Sequence, residues 1–115
     1  MAKAEQFAQA ATVVHELAEE ASDVADAYVT LCVHAGIAAA DVICAARLGV
    51  HAQGERHDEA VALLATVDRG AAKHLGVLLG MKTAAGYGHQ PVNRERAVRA
   101  GRAMDALIEA ARAAG

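Results

Sequence analysis

The amino-acid sequence predicts an all-α protein, and two features of its composition lead to that prediction. Of the 115 residues, 55% are hydrophobic but only 3% are aromatic, and alanine supplies much of the hydrophobic share. Alanine is the best helix former and a poor filler of a core, so this composition favours helices that approach one another closely. Runs of aromatic and β-branched residues, which are typical of strands, are nearly absent. The length suits one domain, residues 1–115.

Two helices are expected in the N-terminal half. Apolar residues recur at helical spacing from Lys3 to about Glu20, with glutamates on the other side. Ser22 and Asp23 are suitable caps for a second helix, which runs to about Leu48, stops at Gly49 and is apolar nearly all round. Because charged side chains interrupt this apolar stretch, we expect a buried central helix rather than a membrane span.

The C-terminal half is expected to hold one short helix and two longer ones. The short helix covers residues 58–67, and the next helix is capped by Asp68 and ends at about Gly86. Asn93 can cap a last helix that runs to about Ala113. Four main helices with one short additional helix predict an up-and-down four-helix bundle.

The net charge of −3 hides two segments of opposite sign. Residues 1–26 hold one base and six acids, a net −5, whereas residues 69–102 hold seven bases and one acid, a net +6. Such segments can attract each other within the bundle or between subunits. Alternatively, the basic segment can bind phosphate groups.

The two cysteines predict free thiols. Cys32 and Cys44 are twelve residues apart on one predicted helix, roughly 18 Å at 1.5 Å per residue, which is too far for a disulfide. Two free thiols indicate a reducing, cytoplasmic location. The spacing of cysteines and histidines matches no zinc motif, so no metal and no cofactor is expected.

The end of the fourth predicted helix, "MKTAAGYGHQP" (residues 81–91), carries the residue types of a phosphate site. Lys82 continues the apolar stripe of its helix, so its side chain either extends past the end of the bundle or points into a cleft. Tyr87 and His89 follow, where a loop can return them toward Lys82. A lysine, a phenol and an imidazole in one small space could bind a phosphate and transfer a proton.

Three other polar residues are assigned structural or interface roles. His34 and Asp41 are seven residues apart and share a face of the second helix. Each is expected to find a partner on a neighbouring helix or at a subunit interface, because buried polar groups need partners. His57 begins the short helix, where capping accounts for it without chemistry.

Two long stretches resemble the HEPN family of small helical-bundle domains. "HAGIAAADVICAARLGVHAQGERHDEAVALL" (residues 34–64) is similar to that family's long alanine-rich second helix and to a following helix with a His-Asp start and a Leu-Leu pair. "LLGMKTAAGYGHQPVNRERAVRAGRAMDALIEAAR" (residues 78–112) is similar to its third helix, aromatic-bearing loop and final helix. The resemblance covers most of the chain and implies a helical bundle, usually a homodimer, that binds nucleotides or RNA.

The resemblance also bears on catalysis. Several HEPN proteins are metal-independent ribonucleases, often in toxin–antitoxin or phage-defence systems, with an R-x4-6-H motif commonly followed by tyrosine. Here Lys82 stands in place of the arginine, six residues separate it from His89, and Tyr87 precedes the histidine. Lysine lacks the planar, bidentate grip of arginine on phosphate. We therefore expect a non-catalytic module rather than an enzyme.

Three functions follow in order of preference. The first is a homodimer that binds nucleotide or RNA phosphates, in which a nucleotidyltransferase or an antitoxin would be a further partner. The second is a protein–protein interaction bundle with no role in nucleic-acid binding, in which small residues such as Gly76, Gly80 and Gly101 would let another helix approach closely. The third is a metal-independent endoribonuclease using Lys82, Tyr87 and His89. No membrane partner is expected. The residues expected to bind phosphate are Lys82, Arg94, Arg96 and Arg99.

Overall fold

The structure is a computed structural model that describes residues 1–18, 25–49, 57–87 and 94–114, and throughout these ranges every regular element is an α-helix. The all-α prediction is therefore confirmed, and the helices form a bundle. Four of them are long and one is short, as expected. They are α1 (Ala2–Leu17), α2 (Ala25–Leu48), α3 (His57–Ala65), α4 (Arg69–Tyr87) and α5 (Arg94–Ala114).

Local sequence signals set two of the helix boundaries. The backbone N–H of Ala71 donates to Asp68 Oδ1 at 2.9 Å, so Asp68 caps α4 as predicted. Gly49 follows the end of α2 with a φ of 71°, a left-handed conformation that glycine adopts without a steric penalty. The caps predicted at residues 22–23 and at Asn93 lie outside the described residues.

The first helix ends earlier than predicted, and its buried side follows the predicted spacing. α1 ends at Leu17, because Ala18 has an extended backbone conformation with ψ of 133°. Its buried residues Ala4 and Ala11 and the partly buried Phe7 and Ala8 lie on one side of the helix and pack against the core. Leu17, the last residue of the helix, is 79% exposed. The spacing of apolar residues therefore predicted the packed side of the helix but not the exposure of its last residue.

α2 is the central helix, as predicted. It packs against α1, α4 and α5, whereas α1 and α5 contact each other only sparsely. Two ring pairs join α1 to α2: Phe7 stacks on His34, and His15 lies against Tyr28. Because the order of these partners is reversed between the two helices, α1 and α2 run antiparallel.

α5 runs in the same direction as α2. Tyr28 of α2 lies beside Gly101 of α5, and further along both helices Gly36 of α2 lies beside Leu107 of α5. The position number rises along both helices between these two contacts, so the two helices are parallel and α1 is antiparallel to both.

The core combines a few large aliphatic side chains with many alanines. The described residues include no buried polar or charged residue. Small side chains let the helices approach closely, as the composition predicted. The largest fully buried side chains include Val29, Ile43, Leu64, Leu75, Leu78 and Leu107.

α2 is also long and apolar enough to cross a membrane, judged by length and composition. Half of its most apolar window is buried inside the bundle. The central helix of a helical bundle meets the same criteria, so this property does not distinguish the two settings.

Candidate functional site

The end of α4 carries the residues for which phosphate chemistry was predicted. Lys82 follows the buried Met81, and its own side chain is exposed. Of the two orientations expected for Lys82, the structure therefore has the one that extends into solvent. Tyr87 is the last residue of α4, one residue beyond the predicted end. His89 lies outside the described residues, so a cluster of the lysine, phenol and imidazole stays a prediction.

The first turns of α5 bring two of the predicted arginines together. Arg94, Arg96 and Arg99 are all exposed. At about 100° per residue, Arg96 and Arg99 are about 60° apart around the helix, whereas Arg94 is about 160° from Arg96. Arg96 and Arg99, which we call the arginine pair, therefore form one basic ridge, and Arg94 faces elsewhere.

Neighbouring groups modify the charge of the arginine pair. Glu95 is four residues before Arg99, a spacing at which helical side chains are neighbours, so it offsets part of the positive charge. Arg96 already interacts with another group of the protein. The amino end of α5 adds a partial positive charge from its backbone N–H groups, which favours an anion.

The residues assigned structural roles lie on the α2 and α3 helices. His34 is exposed, and its ring stacks on Phe7 with centroids 5.2 Å apart and 25° between the planes. Asp41 is half-buried and has an interaction partner. Burial, and secondarily the charge of Asp41, raise the pKa of the Cys44 thiol. His57 is the first residue of α3.

A cluster around Tyr28 was not anticipated from the sequence. The Tyr28 ring lies 4.9 Å from the His15 ring, and its hydroxyl lies against Gly101 and forms a hydrogen bond with the Cys32 thiol. Burial is the main cause that raises the pKa of Tyr28, and it raises the pKa of Cys32 to about 12. Both groups therefore stay protonated at neutral pH, and the cluster is a packing unit rather than a nucleophilic site.

One signal in the sequence could have indicated part of this cluster. Tyr28 and Cys32 are four residues apart, so they are neighbours on one side of α2. Their other contacts come from α1 and α5, and no spacing along the chain predicts those contacts.

The structure shows no metal site in the parts of the chain that it describes. No group of three or more histidine, cysteine, aspartate or glutamate side chains there is arranged to hold a metal ion. Cys32 and Cys44 are both free and buried on α2, as the sequence predicted.

A groove of about 440 Å³ lies between α1 and α5, which contact each other only sparsely. At one end Arg112 contacts Glu5 at 3.4 Å and Glu109 at 3.3 Å. These ion pairs are exposed, so each contributes little to stability. Besides the polar Gln9 and Thr12, the lining has an apolar floor and a rim whose acids outnumber its single base, Arg112. The floor includes Ala8, Met104 and Ile108, and the rim includes Glu5, Asp105 and Glu109.

Comparison of the chain with models of protein families, with curated proteins and with solved structures gives no significant match. The HEPN resemblance of the sequence therefore stays a prediction.

Proposed function

We propose that this chain is a HEPN-like helical module that forms a homodimer and binds the phosphates of a nucleotide or RNA without cleaving them. The observation that carries the proposal is the exposed arginine pair in the first turns of α5, together with the exposed Lys82 near the end of α4. Only residues 88–93 separate the two helices, and a connection of that length spans at most about 25 Å. A short RNA extends over such a distance, so one RNA could contact the cations of both helices, whereas a single nucleotide would be bound by the arginine pair.

The chemistry of these side chains suits phosphate. An arginine guanidinium can donate two parallel hydrogen bonds to a phosphate, and a lysine ammonium supplies a compact charge. Base stacking would contribute little, because the chain has only three aromatic residues and the rings of Phe7 and Tyr28 are packed against histidines. Recognition would therefore be mainly electrostatic.

The proposal also covers the arrangement of the helices, the cellular location and a further partner. α1, α2, α4 and α5 would complete an up-and-down four-helix bundle, with α3 as the additional helix. The antiparallel α1 and α2 and the parallel α2 and α5 support this arrangement. The protein would act in the cytoplasm, away from any membrane, with a nucleotidyltransferase or an antitoxin as a further partner in a toxin–antitoxin or defence system.

Fluorescence anisotropy of a labelled nucleotide and a labelled single-stranded RNA tests the binding proposal. Affinity should fall steeply between about 50 mM and 200 mM salt, because binding releases counterions from the phosphates. The double variant Arg96→Ala/Arg99→Ala should bind at least about tenfold more weakly, since it loses two charge-assisted contacts.

Arg47→Ala is the matched control for this titration. Arg47 is exposed near the carboxyl end of α2. Because α2 and α5 are parallel, Arg47 lies at the opposite end of the bundle from the arginine pair. Its replacement should leave affinity unchanged. Binding of neither probe at low salt, or equal loss in the two variants, would overturn the proposal.

A cleavage assay decides between the binding module and the ribonuclease. In a ribonuclease, a ribose 2′-hydroxyl would attack the adjacent phosphate, with His89 moving the proton, Lys82 offsetting charge and Tyr87 orienting the substrate. We expect no cleavage of labelled single-stranded RNA in a metal chelator. Cleavage by the wild type that is lost in His89→Ala would replace the non-catalytic proposal.

A protein–protein interaction bundle is the second candidate, and the surface of α4 favours it. Gly76 and Gly80 are exposed, and a Cβ at either position would meet nothing within 4 Å. Glycine inside a helix costs about 1 kcal/mol relative to alanine, a cost that close approach of a partner helix would offset. Association through this surface should persist at high salt, whereas phosphate binding should not.

A further inference from the structure

The exposed face of α5 changes charge along its length. Val98, Arg102, Asp105 and Glu109 lie within about 60° of one another around the helix. All four are exposed, and Val98 is 45% exposed. The first half of this face thus presents an apolar side chain followed by a base, and the second half presents two acids.

The acidic half of this face borders the groove between α1 and α5. The groove has three acids, Glu5, Asp105 and Glu109, against one base, Arg112. Its floor includes the buried, apolar side chains of Met104 and Ile108. A helix that fits this groove should therefore present an apolar side chain beside a basic one.

The first half of α5 has that pattern itself. If a second α5 lies antiparallel across the first, with a two-fold axis between residues 103 and 104, Arg102 lies opposite the partner's Asp105. Val98 then lies opposite the partner's Glu109, beside the apolar floor of the groove. Glu95 comes opposite the partner's Arg112, so both charged pairs are of opposite sign. By symmetry each contact forms twice.

We propose that two copies of this chain pair through an antiparallel, two-fold symmetric contact of α5, in which Val98 enters the groove between α1 and α5 of the other copy and Arg102 pairs with the partner's Asp105. This inference deepens the proposed function by naming the interface of its dimer, and it rests on that dimeric state. Charge complementarity favours a second copy over another basic helix, because each copy supplies both halves of the contact.

The contact leaves Arg96 accessible, and Arg99 borders it. Arg96 is about 160° from Val98 and about 120° from Arg102 around α5, whereas Arg99 is about 60° from Arg102 and lies at the edge of the proposed interface. One dimer would therefore carry two arginine pairs at the edges of the contact, and the variants below, which keep both arginines, test dimerisation apart from phosphate binding.

A charge exchange at the centre of the interface tests the inference. Sedimentation velocity over a range of concentrations should show a dimer for the wild type. Arg102→Asp and Asp105→Arg should each weaken dimerisation at least about tenfold, because each puts like charges opposite each other. The double variant R102D/D105R should restore the wild-type dissociation constant to within a few-fold. Lys73→Asp, on the exposed side of α4, is the matched control and should leave the dimer intact.

Val98→Asp adds a second route to the same conclusion. An aspartate there would face the acidic rim of the groove, so the variant should be monomeric. Its circular dichroism should match that of the wild type, because Val98 is half-exposed and lies outside the core.

Several outcomes would overturn the interface. A monomeric wild type at every concentration would overturn the interface and the dimer together. A dimer that neither single substitution weakens, or that the double variant fails to restore, would overturn this interface and assign the dimer contact to another surface.

Phosphate binding is measured separately, by the fluorescence anisotropy of the labelled nucleotide and RNA with the Val98→Asp variant. This variant keeps the arginine pair. If the charge-exchange variants dimerise as expected but the protein binds no phosphate, the interface is retained and phosphate binding is rejected.

Discussion

The glycines at the contact of α2 with α5 and those on the surface of α4 differ in what surrounds them. A Cβ at Gly36 would overlap Leu78, and one at Gly101 would overlap the Tyr28 hydroxyl. A Cβ at Gly76 or Gly80 of α4 would meet no atom within 4 Å. Glycine therefore has two different effects in one bundle: it permits packing between α2 and its neighbours, and it leaves a smooth exposed surface on α4.

This difference shows where the bundle depends on the absence of a side chain. Inside the contact, the cost of a flexible glycine is offset by the close approach of buried leucines to the helix backbone. On α4 nothing within the described residues offsets that cost, so the same Gly→Ala change should have opposite effects at the two places.

The largest effect is expected at Gly36. Gly36→Ala should destabilise the protein by about 1–2 kcal/mol, because overpacking costs about 1–3 kcal/mol and the gain in helix propensity recovers up to about 1 kcal/mol. The added methyl would overlap Leu78 and would also lie 3.2 Å from Leu107 Cδ1, and both leucines are buried. Urea denaturation followed by circular dichroism measures the change.

The Leu78→Ala background is the control for Gly36. Leu78→Ala alone should cost about 2–5 kcal/mol. With the larger side chain gone, Gly36→Ala should become neutral or stabilising, so the two changes should show a coupling of at least about 1 kcal/mol. Additive effects would show that Gly36 does not mark a close contact.

Alkaline pH tests the packing next to Gly101. The pKa of Cys32 is raised from 9.0 to about 12 by burial, and the pKa of Tyr28 is raised as well. A folded-state pKa above the unfolded one means that the folded state holds its proton more tightly. The contribution of Cys32 is complete below about pH 9 and is lost between about pH 9 and pH 12, at up to about 1.4 kcal/mol per pH unit. The contribution of Tyr28, whose ordinary pKa is 10.0, has the same sign and begins to be lost only above about pH 10.

Urea midpoints at about pH 7, 9 and 10 measure this dependence, with Cys32→Ala beside the wild type. The variant should be less stable at neutral pH because it loses buried volume, and its stability should fall less steeply above pH 9. A slope that is the same in both proteins would assign the alkaline loss to other groups.

A smaller effect of opposite sign is expected on α4. Gly76→Ala and Gly80→Ala should each stabilise the protein by about 0.5–1 kcal/mol, because alanine is the better helix former and its methyl meets no neighbour. Thermal unfolding measures the change in stability of the two single variants and of the double variant. Destabilisation at either position would mean that the surface is covered in solution. A rise in stability with loss of self-association or partner binding would favour the interaction candidate.

Local signals account for the parts of the fold that the sequence predicted. Asp68 caps α4 through a hydrogen bond to a backbone group three residues away, and Gly49 ends α2 by its own backbone conformation. The near-continuous apolar character of α2 identified it as the central helix. Each of these signals depends on a few neighbouring residues, so one sequence is sufficient to read it.

Contacts between helices were not predictable in the same way. From the sequence, Gly101 belongs with Gly76 and Gly80 as a small residue that lets another helix approach. The structure places Gly101 under Tyr28 and the other two in open space. Which neighbour a glycine meets depends on how the helices are rotated and aligned, and no spacing along one helix encodes that. The predicted cluster of Lys82 with His89 depends on the same kind of information.

The smallest effect, and the sharpest test of the contact at α5, is expected at Gly101. Gly101→Ala should change stability by less than about 1 kcal/mol, because the gain in helix propensity and the displacement of the Tyr28 hydroxyl nearly cancel. The hydroxyl is the end of a half-buried side chain, so it can move where Leu78 cannot. In a Tyr28→Phe background the nearest remaining atom of the ring is Cζ at 3.5 Å, an ordinary contact.

Gly101→Ala should therefore stabilise the Tyr28→Phe variant by about 0.5–1 kcal/mol, and the difference between the two backgrounds measures the overlap with the hydroxyl. Thermal unfolding at neutral pH of the wild type, Gly101→Ala, Tyr28→Phe and the double variant gives that difference. The hydrogen bond to Cys32 is lost equally in both proteins that carry Tyr28→Phe, so its loss cancels. Equal effects of Gly101→Ala in the two backgrounds would mean that α5 lies further from α2 than the contact of Gly101 with the Tyr28 hydroxyl implies. Gly101 would then resemble Gly76 and Gly80 of α4, and among the glycines that the structure describes only Gly36 would remain as one that the packing requires.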